Sequence, residues 1–314
     1  TTGARQPPIF CQIFSAHIAR SVSVRFSTVS ASAYVDNVRI MSNDVPEILQ
    51  AKTFLFSLCK DLGIVINEPE STCVPLTHYT FLGVAYDHVS GKVRLGEKSL
   101  KKLFRARQDV ERGGERSVAE WQGIFGICVW GSSVLKMNTA EFYYVYKFVR
   151  RISADALKSP ERVMWPSIIS LWVTWCNRLL LNTPRNMVPE VTENETISVF
   201  SDACLTGWGA LFFRNQAVDV VAGSFCSHFD GVHINVLELR AVRFALSNWK
   251  FSRVAIKLFL DNTTAISTVK KERSRSFELN EEWLKLQQIL VEKQIQIISV
   301  QYVNSKTNAA DFWS

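Results

Sequence analysis

Four acidic side chains in the last third of the chain have the types and the spacing that metal-dependent chemistry requires. They are Asp202, Glu238, Asp261 and Asp311, and each lies where the hydrophobic pattern passes from one element to the next. Two divalent cations about 4 Å apart need several carboxylates that converge on one point. If the fold brings these acids together, they would form a site for two divalent ions, Mg²⁺ or Mn²⁺.

Each acid also has a purely structural interpretation. Asp202 would suit a turn, and Glu238 would suit the reciprocal position of a capping box. Asp261 would cap a short helix, and Asp311 would be a favourable charge in the first turn of a helix. These alternatives stay open at the level of sequence, because local spacing alone satisfies them.

The neighbours of Glu238 favour a functional role for this side chain. Ala241, Val242 and Ala245 follow it at three, four and seven residues, so they share its face of a predicted helix. A charge on the face that packs against a sheet is unfavourable unless a metal or a partner meets it. We therefore expect Glu238 to point toward the site.

Hydrophobic periodicity supplies the elements that must position these acids. The last segment is predicted to run βββαβααβ, with these strands and helices: Ile197–Phe200, Gly209–Phe213, Ala217–Phe225, Asn235–Trp249 (helix), Val254–Leu260, Thr263–Lys270 (helix), Asn280–Gln294 (helix) and Ile295–Val303. The fold class is therefore α/β, in the α+β sense.

The first ninety or so residues alternate between helix and strand. The predicted elements are a helix at Phe10–Ala19, a strand around Ala33–Val35, a helix at Ile48–Leu62, and strands at Gly63–Asn67 and Phe81–Tyr86. From Gly96 to Pro189 the pattern is helical. Its strongest features are a capping box at Ser117–Glu120 and a helix at Trp165–Leu181, and a polar linker is expected at Pro184–Glu195.

Composition describes a folded, basic chain. The 314 residues are 47% hydrophobic and carry a formal net charge of +7, which favours a polyanionic partner. Nine Lys and Arg stand against four Asp and Glu between Lys92 and Arg116, so much of the excess lies there.

The cysteines and the apolar runs indicate where the chain would act. The seven cysteines include no C-x-x-C pair, which indicates neither a disulfide framework nor a zinc site. A reducing intracellular compartment, cytoplasmic or nuclear, is expected. The longest apolar run, Trp165–Leu181, is interrupted by Asn177 and Arg178, so no membrane partner is expected. The chain begins without Met and stops three residues after Asp311, as a piece of a longer protein would.

Four sequence blocks carry a family resemblance. Phe200–Ala210, His233–Ala241, Leu258–Thr264 and Asn308–Ser314 resemble the blocks of the retroelement ribonuclease H, in the same order. They look most like those of tyrosine-recombinase (DIRS-like) retrotransposons, a group with trypanosomatid members. The resemblance implies a mixed five-stranded sheet with helices, and hydrolysis of the RNA strand of an RNA–DNA hybrid by two metal ions.

The same resemblance implies a role for each acid. Asp202 would contact both ions, Glu238 and Asp261 would complete one site, and Asp311 would hold the other. The order Asp, Glu, Asp, Asp argues against a DDE transposase, whose acids run Asp, Asp, Glu. Many relatives carry a histidine in the loop before the last aspartate, but residues 302–308 contain none. The rate, rather than the type of reaction, would depend on this difference.

A second resemblance covers the start of the chain. Ala33–Val38 is similar to the Tyr-x-Asp-Asp hairpin of reverse transcriptases, with Tyr34, Asp36 and Asn37 at the motif positions. Gly3–Phe10, Leu62–Asn67 and Phe81–Asp87 look like the neighbouring palm blocks. Asn37 replaces the second aspartate, and the block with the earlier aspartate and the fingers would precede Thr1. Polymerase activity is therefore not expected of this chain alone.

Together the resemblances predict three domains. Residues 1–95 would be a partial reverse transcriptase palm, 96–189 a helical thumb and connection, and 190–314 a C-terminally truncated ribonuclease H-like domain. The predicted partners are an RNA–DNA hybrid, a template–primer duplex and the remaining portion of a polyprotein.

Two basic sets are candidate nucleic-acid contacts. The first set would hold template–primer phosphates, and the second would hold the hybrid; a solvated surface is the alternative for both. Their members are Lys98, Lys101, Lys102 and Arg105 in the first, and Lys270, Lys271, Arg273 and Arg275 in the second. His233 is expected to be a helix cap rather than a metal ligand, because magnesium prefers oxygen.

The sequence leaves three functions open. The first is the ribonuclease H endonuclease. The second is a catalytically inactive nucleic-acid-binding relic. The third is an RNA-directed DNA polymerase, if a longer chain restores the missing parts of the palm.

Overall fold

The structure, a computed structural model, describes residues 7–70, 73–154, 161–162, 166–187, 196–215, 217–225 and 231–314. They belong to two units, Thr1–Ser90 and Gly91–Ser314. The fold class is mixed α/β, as the sequence predicted. The domain boundaries expected near residues 95 and 189 stay predictions. Most of the expected linker, residues 188–195, lies outside the described residues, as do residues 3–6 of the first palm-like block.

The first unit combines helices with hairpins. Its described elements are α1 Pro7–Arg25, β1 Ser30–Tyr34, β2 Asn37–Met41, α2 Val45–Asp61, β3 His78–Phe81 and β4 Val84–Asp87. Helix α2 begins at an Asp44 cap whose carboxylate accepts the Glu47 amide at 3.1 Å. Apolar side chains of the two helices, including Val22 and Leu55, form the core of this unit.

Two expected strands of this unit are wrong. Gly63–Asn67 forms no strand, because Gly63, at φ +69°, ends α2 and the Ile64 amide donates to the last helical turn at 2.8 Å. Phe81–Tyr86 is a hairpin instead of one strand. Leu82 and Gly83 both have positive φ, 50° and 79°, which is the geometry of the tight turn that joins β3 and β4.

The second unit begins with a helical part. Its described elements are β5 Lys92–Leu95, α3 Glu97–Arg112, β6 Arg116–Ser117, α4 Val118–Leu135, a 3-10 turn Ala140–Phe142, α5 Tyr143–Ala154, β7 Glu161–Arg162, α6 Pro166–Leu180 and β8 Arg185–Asn186. The capping box predicted at Ser117 and Glu120 is present at the start of α4. Strand β8 pairs with β5, so the predicted linker begins with an ordered strand.

Aromatic packing holds the helical part together. Trp121, Trp172 and Trp175 are fully buried between α4, α5 and α6. The indole of Trp175 donates to Ser132 at 2.8 Å, so its polar edge is satisfied inside the core. Among the described residues, no helix is both long and apolar enough to cross a bilayer.

The rest of the second unit contains a mixed sheet covered by helices. Its described elements are β9 Thr196–Ala203, β10 Gly207–Arg214, β11 Ala217–Ser224, α7 Ile234–Asn248, β12 Ala255–Leu260, α8 Thr263–Lys271, α9 Phe277–Glu292 and β13 Gln296–Tyr302. Five of these strands pair in the order β11-β10-β9-β12-β13. The first three are antiparallel, and β12 runs parallel to both β9 and β13. This is the mixed five-stranded sheet that the sequence predicted.

Helix α7 packs its apolar face on the centre of this sheet. Val242 and Ala245 are fully buried against Val199 of β9 and Phe212 of β10. Full burial of a valine side chain contributes about 1.5 to 3 kcal/mol. Because α7 carries Glu238 one turn earlier, the same packing places that carboxylate over the end of β9.

Candidate metal centre

Three of the predicted acids converge at one edge of the sheet. Asp202 lies near the end of β9, Asp261 directly follows β12, and Glu238 lies in the second turn of α7. Since β9 and β12 are parallel neighbours, their carboxyl ends meet at the same edge. Each acid offers an oxygen within 4.8 Å of the other two. These three residues are called the acidic triad below.

The purely structural roles that local spacing allowed are filled by other residues. Asp202 belongs to a strand rather than a turn. The cap of α8 is Asn262, whose carboxamide accepts two α8 amides at 3.0 and 2.9 Å. The cap of α7 is His233, whose ring accepts the Asn235 amide at 3.1 Å, as predicted. No member of the triad is therefore explained by helix capping or turn formation.

Glu238 is the most perturbed member of the triad. Only 5% of it is exposed, and its Oε2 is buried without a hydrogen-bond partner among the described residues. Burial, together with the charges of Asp202 and Asp261, raises the pKa of Glu238 to about 9. Without a counter-charge this carboxyl group therefore holds a proton at neutral pH.

Asp202 lies under opposing influences. Burial raises its pKa above the usual range, and the neighbouring Asp261 and Asp311 add to that rise. Two donors act in the other direction: the Ser314 hydroxyl donates to Oδ2 at 2.6 Å, and the Asn308 amide donates to Oδ1 at 3.3 Å. The carboxylate is thus oriented by hydrogen bonds while it faces other acids.

Asp311 is near the triad but is not a member of it. It begins a 3-10 turn, Asp311–Trp313, and its side chain is exposed. Its charge is close enough to raise the pKa of Asp202, yet it does not share the 4.8 Å grouping. The role predicted for it, holding a second ion, stays a prediction.

The triad fits a divalent cation. All of its donors are carboxylate oxygens, which hard ions such as Mg²⁺, Mn²⁺ and Ca²⁺ prefer. Buried carboxylates that face one another are unfavourable without a positive partner. The unpaired Oε2 of Glu238 is the atom that such a partner would satisfy. The geometry is compatible with a divalent metal and does not distinguish among these ions.

The residues predicted to form a polymerase motif lie at the tip of the β1–β2 hairpin. Tyr34 ends β1, Asn37 begins β2, and Asp36 lies in the turn, where its carboxylate accepts a hydrogen bond from the side-chain Nδ2 of Asn37 at 2.9 Å. The three side chains are exposed. In the described part of the chain, the only group of three potential metal-ligating residues is the acidic triad, so Asp36 has no such group around it.

The first basic set lies on the solvent side of α3. Lys98, Lys101, Lys102 and Arg105 are all exposed, whereas the opposite face of the helix is buried through residues such as Leu103. This arrangement agrees with phosphate contacts and equally with a solvated helix face. Their predicted role therefore stays a prediction.

Most of the second basic set lines a cleft. Lys271, Arg273 and Arg275, from the end of α8 and the loop after it, line a cavity of about 670 Å³ together with Lys147 and Arg150 of α5. Lys270 is exposed beside it and is not part of the lining. All charged side chains among the described lining residues are basic. We call this cavity the basic cleft.

The lining of the basic cleft includes residues that closely follow a member of the acidic triad in the chain. Thr263 and Thr264, which follow Asp261 and its neighbour at the start of α8, belong to its lining. Lys147 and Arg150 were missed by the sequence interpretation, because nothing in the sequence of α5 shows that it lies against α8. The sequence did contain one signal. Helix α5 is strongly amphipathic, so its Lys and Arg side chains could have been predicted to lie on the exposed face.

Comparisons with known proteins give structural matches at low sequence identity. The sequence matches no protein-family model. It also matches no curated protein sequence. A foamy viral protease-reverse transcriptase in complex with dsDNA aligns over 97% of this chain and 60% of its own, at 14% identity and a TM-score of 0.44. The same protein in complex with an RNA/DNA hybrid aligns over 93% and 37%, at 16% identity and 0.41.

A third solved structure aligns with a smaller part of this chain. RNase H1 from the archaeon Halobacterium salinarum NRC-1 covers 38% of this chain and 92% of its own, at 15% identity and a TM-score of 0.31. The chain thus spans about half the length of the viral proteins that it matches, between 37% and 60%.

Proposed function

We propose that this chain is a metal-dependent endonuclease that cuts the RNA strand of RNA–DNA hybrids. The observation that carries the proposal is the acidic triad, in which three carboxylates meet at one edge of the sheet with a buried, unpaired oxygen on Glu238. The chain would be part of the polyprotein of a DIRS-like retroelement. It would act in the cytoplasm or nucleus together with the rest of that polyprotein.

The residues divide the work in a way that suits phosphodiester hydrolysis. Asp202, Glu238 and Asp261 would hold Mg²⁺ or Mn²⁺ ions, with Asp311 completing a second site. Bound divalent ions supply Lewis acidity, which lowers the pKa of water and neutralises charge on a phosphate. Glu238 must release its proton before it can serve as an anionic ligand, since its pKa lies near 9 without a cation.

The basic cleft supports a nucleic-acid substrate. Five Lys or Arg side chains line one cavity, and it begins at the helix that directly follows the Asp261 strand end. A lining of this charge attracts the phosphate backbone, which positions a duplex without reading its sequence. The cleft would hold one strand while the triad faces the scissile phosphate of the other. The predicted contacts on α3 would extend the same electrostatic surface.

A cleavage assay tests the proposal. An end-labelled RNA–DNA hybrid should be cut in its RNA strand with Mg²⁺ or Mn²⁺, and not with EDTA. Duplex DNA and duplex RNA of the same sequence should stay intact. Asp202→Asn should reduce the rate by at least 100-fold, whereas Asp219→Asn, on the exposed edge strand β11 of the same sheet, should not change it.

One observation favours a second function, the nucleic-acid-binding relic. Asp311 is exposed and lies outside the 4.8 Å grouping, so a second ion would find fewer ligands than the first. A chain that binds the hybrid with the affinity of an enzyme, but leaves the RNA intact at saturating Mn²⁺, would be such a relic. Polymerase activity would be the function only if a longer chain supplied the other parts of the expected palm.

A further inference from the structure

The loop before Asp311 contributes a buried amide to the triad. Asn308 is only 5% exposed, and each of its polar atoms has a partner. Its Nδ2 donates to the Ser201 carbonyl at 3.2 Å and to Asp202 Oδ1 at 3.3 Å, while its Oδ1 accepts the Ala310 amide at 3.2 Å. One side chain thus joins the β9 backbone, the Asp202 carboxylate and the C-terminal segment.

These contacts permit one orientation of the Asn308 amide. With the amide reversed, its oxygen would face a carbonyl and a carboxylate, and its NH₂ group would face the Ala310 N–H donor. Both changes replace attraction with repulsion. The donor is therefore held toward Asp202 by two further hydrogen bonds that do not depend on the triad.

The other oxygen of Asp202 is held in a similar way. The Ser314 hydroxyl donates to Oδ2 at 2.6 Å, and its oxygen also lies 3.2 Å from the Asp311 carbonyl oxygen. A carboxylate has about four lone-pair sites, so one donor on each oxygen leaves at least one site per oxygen for a cation. Both donors come from the segment that carries Asp311.

We propose that Asn308 and Ser314 are positioning residues, which fix the plane of the Asp202 carboxylate so that both of its oxygens can bind divalent ions. The inference rests on the proposed metal-dependent nuclease. Mutation of a residue that is hydrogen-bonded to a metal ligand typically lowers metal affinity or activity by about 10-fold to 100-fold. The loop before Asp311, which contains no histidine, would thus act on the site through the neutral amide of Asn308.

Metal affinity separates positioning from simple structural support. Mn²⁺ binding to the full chain would be measured by calorimetry and by the loss of the free-ion spin-resonance signal. The Mg²⁺ concentration for half-maximal cleavage would be measured in parallel. Asn308→Ala should raise both metal constants by about 10-fold. The KM for the hybrid should be unchanged, because Asn308 is buried below the surface.

Asn304→Ala is the matched control. Asn304 is in the same loop, and its carboxamide accepts the Lys306 amide at 3.0 Å without contacting Asp202. It should lower the melting temperature without shifting either metal constant. Ser314→Ala should raise the metal constants by a smaller factor and provides the test if Asn308→Ala does not fold.

The possible results are distinguishable. If Asn308→Ala or Ser314→Ala binds Mn²⁺ as tightly as the wild type, or if Asn304→Ala shifts the constants equally, positioning is overturned. A wild-type chain that binds Mn²⁺ but cuts no hybrid overturns the nuclease proposal alone, since the affinity comparison still decides on Asn308. A wild type that binds no Mn²⁺ overturns both.

Discussion

Gly209 lies against Trp313 so closely that no larger residue fits between the sheet and the C-terminal segment. A Cβ at position 209 would be 2.6 Å from the Trp313 Cβ and 2.9 Å from its carbonyl oxygen. Gly209 is also the partner of Asp202 in the β9–β10 ladder. The close approach therefore sets the distance between the triad and the segment that holds Asn308, Asp311 and Ser314.

Gly209→Ala should displace this segment, because the neighbouring atoms are backbone and Cβ rather than the end of a flexible side chain. We expect a loss of about 1 to 3 kcal/mol in the free energy of unfolding, which is typical of overpacking, together with weaker Mn²⁺ binding. Gly123→Ala is the control: it lies in α4 with open space around it and should be neutral or stabilising by about 0.5 to 1 kcal/mol. Unchanged stability and metal binding in Gly209→Ala would contradict this account.

The pKa of Glu238 predicts how metal-free stability depends on pH. The folded state keeps a proton on Glu238 up to about pH 9, whereas the unfolded chain releases it near the ordinary value of 4.5. The folded state therefore binds more protons in this window, and the free energy of unfolding should fall as pH rises from about 4.5 to about 9. Melting temperatures in EDTA across this range would measure the effect.

Glu238→Gln removes the ionisable group and should flatten that pH dependence. It should also stabilise the metal-free protein at pH 8, by up to about 5 kcal/mol, because the wild type must take up a proton on Glu238 when it folds at that pH and the neutral amide need not. Glu292→Gln, at the exposed end of α9, should leave the pH dependence unchanged. An identical pH slope in Glu238→Gln and the wild type would show that Glu238 ionises normally in the fold.

The sequence predicted those parts of the site that local pattern determines. Asp202, Glu238 and Asp261 each lie on an element with clear periodicity, and adjacent parallel strands bring their ends together. The sequence could not predict that Lys147 and Arg273 line the same cavity, because that depends on how α5 packs against the α8–α9 loop. It predicted that Gly63 would end α2, but it wrongly predicted a strand at Gly63–Asn67, since a short apolar run fits a strand equally well.

The basic cleft predicts a salt-dependent loss of binding. Lys147→Ala and Arg150→Ala should each weaken hybrid binding and reduce the slope of log affinity against log salt by roughly 1, because each removes about one phosphate contact. Lys285→Ala, on an exposed position of α9 outside the cleft lining, should leave the slope unchanged. The slopes would be measured by fluorescence anisotropy of a labelled hybrid at several salt concentrations, with Ca²⁺ in place of Mg²⁺. Equal slopes in all variants would show that the basic cleft does not contact the phosphates of the hybrid.

Glu282 joins α9 to the helix that carries Glu238. It is 1% exposed and forms ion pairs with Arg240, at 3.1 Å, and with Arg243, both on α7. Glu282→Ala would leave two partly or fully buried guanidinium groups without their shared carboxylate. Breaking a buried pair in this way costs about 3 to 5 kcal/mol, so this variant should show a large fall in the urea midpoint.

The control for Glu282 is Glu278→Ala, one turn earlier on α9, where the carboxylate is exposed and accepts the Ser276 hydroxyl at 2.6 Å. Its loss should be within about 1 kcal/mol, as expected for an exposed contact near a helix start. Because the α7–α9 contact lies on the side of α7 away from the triad, folded Glu282→Ala protein should bind Mn²⁺ with nearly wild-type affinity. A large loss of metal affinity in protein that remains folded would mean that the ion pairs also hold Glu238 in place.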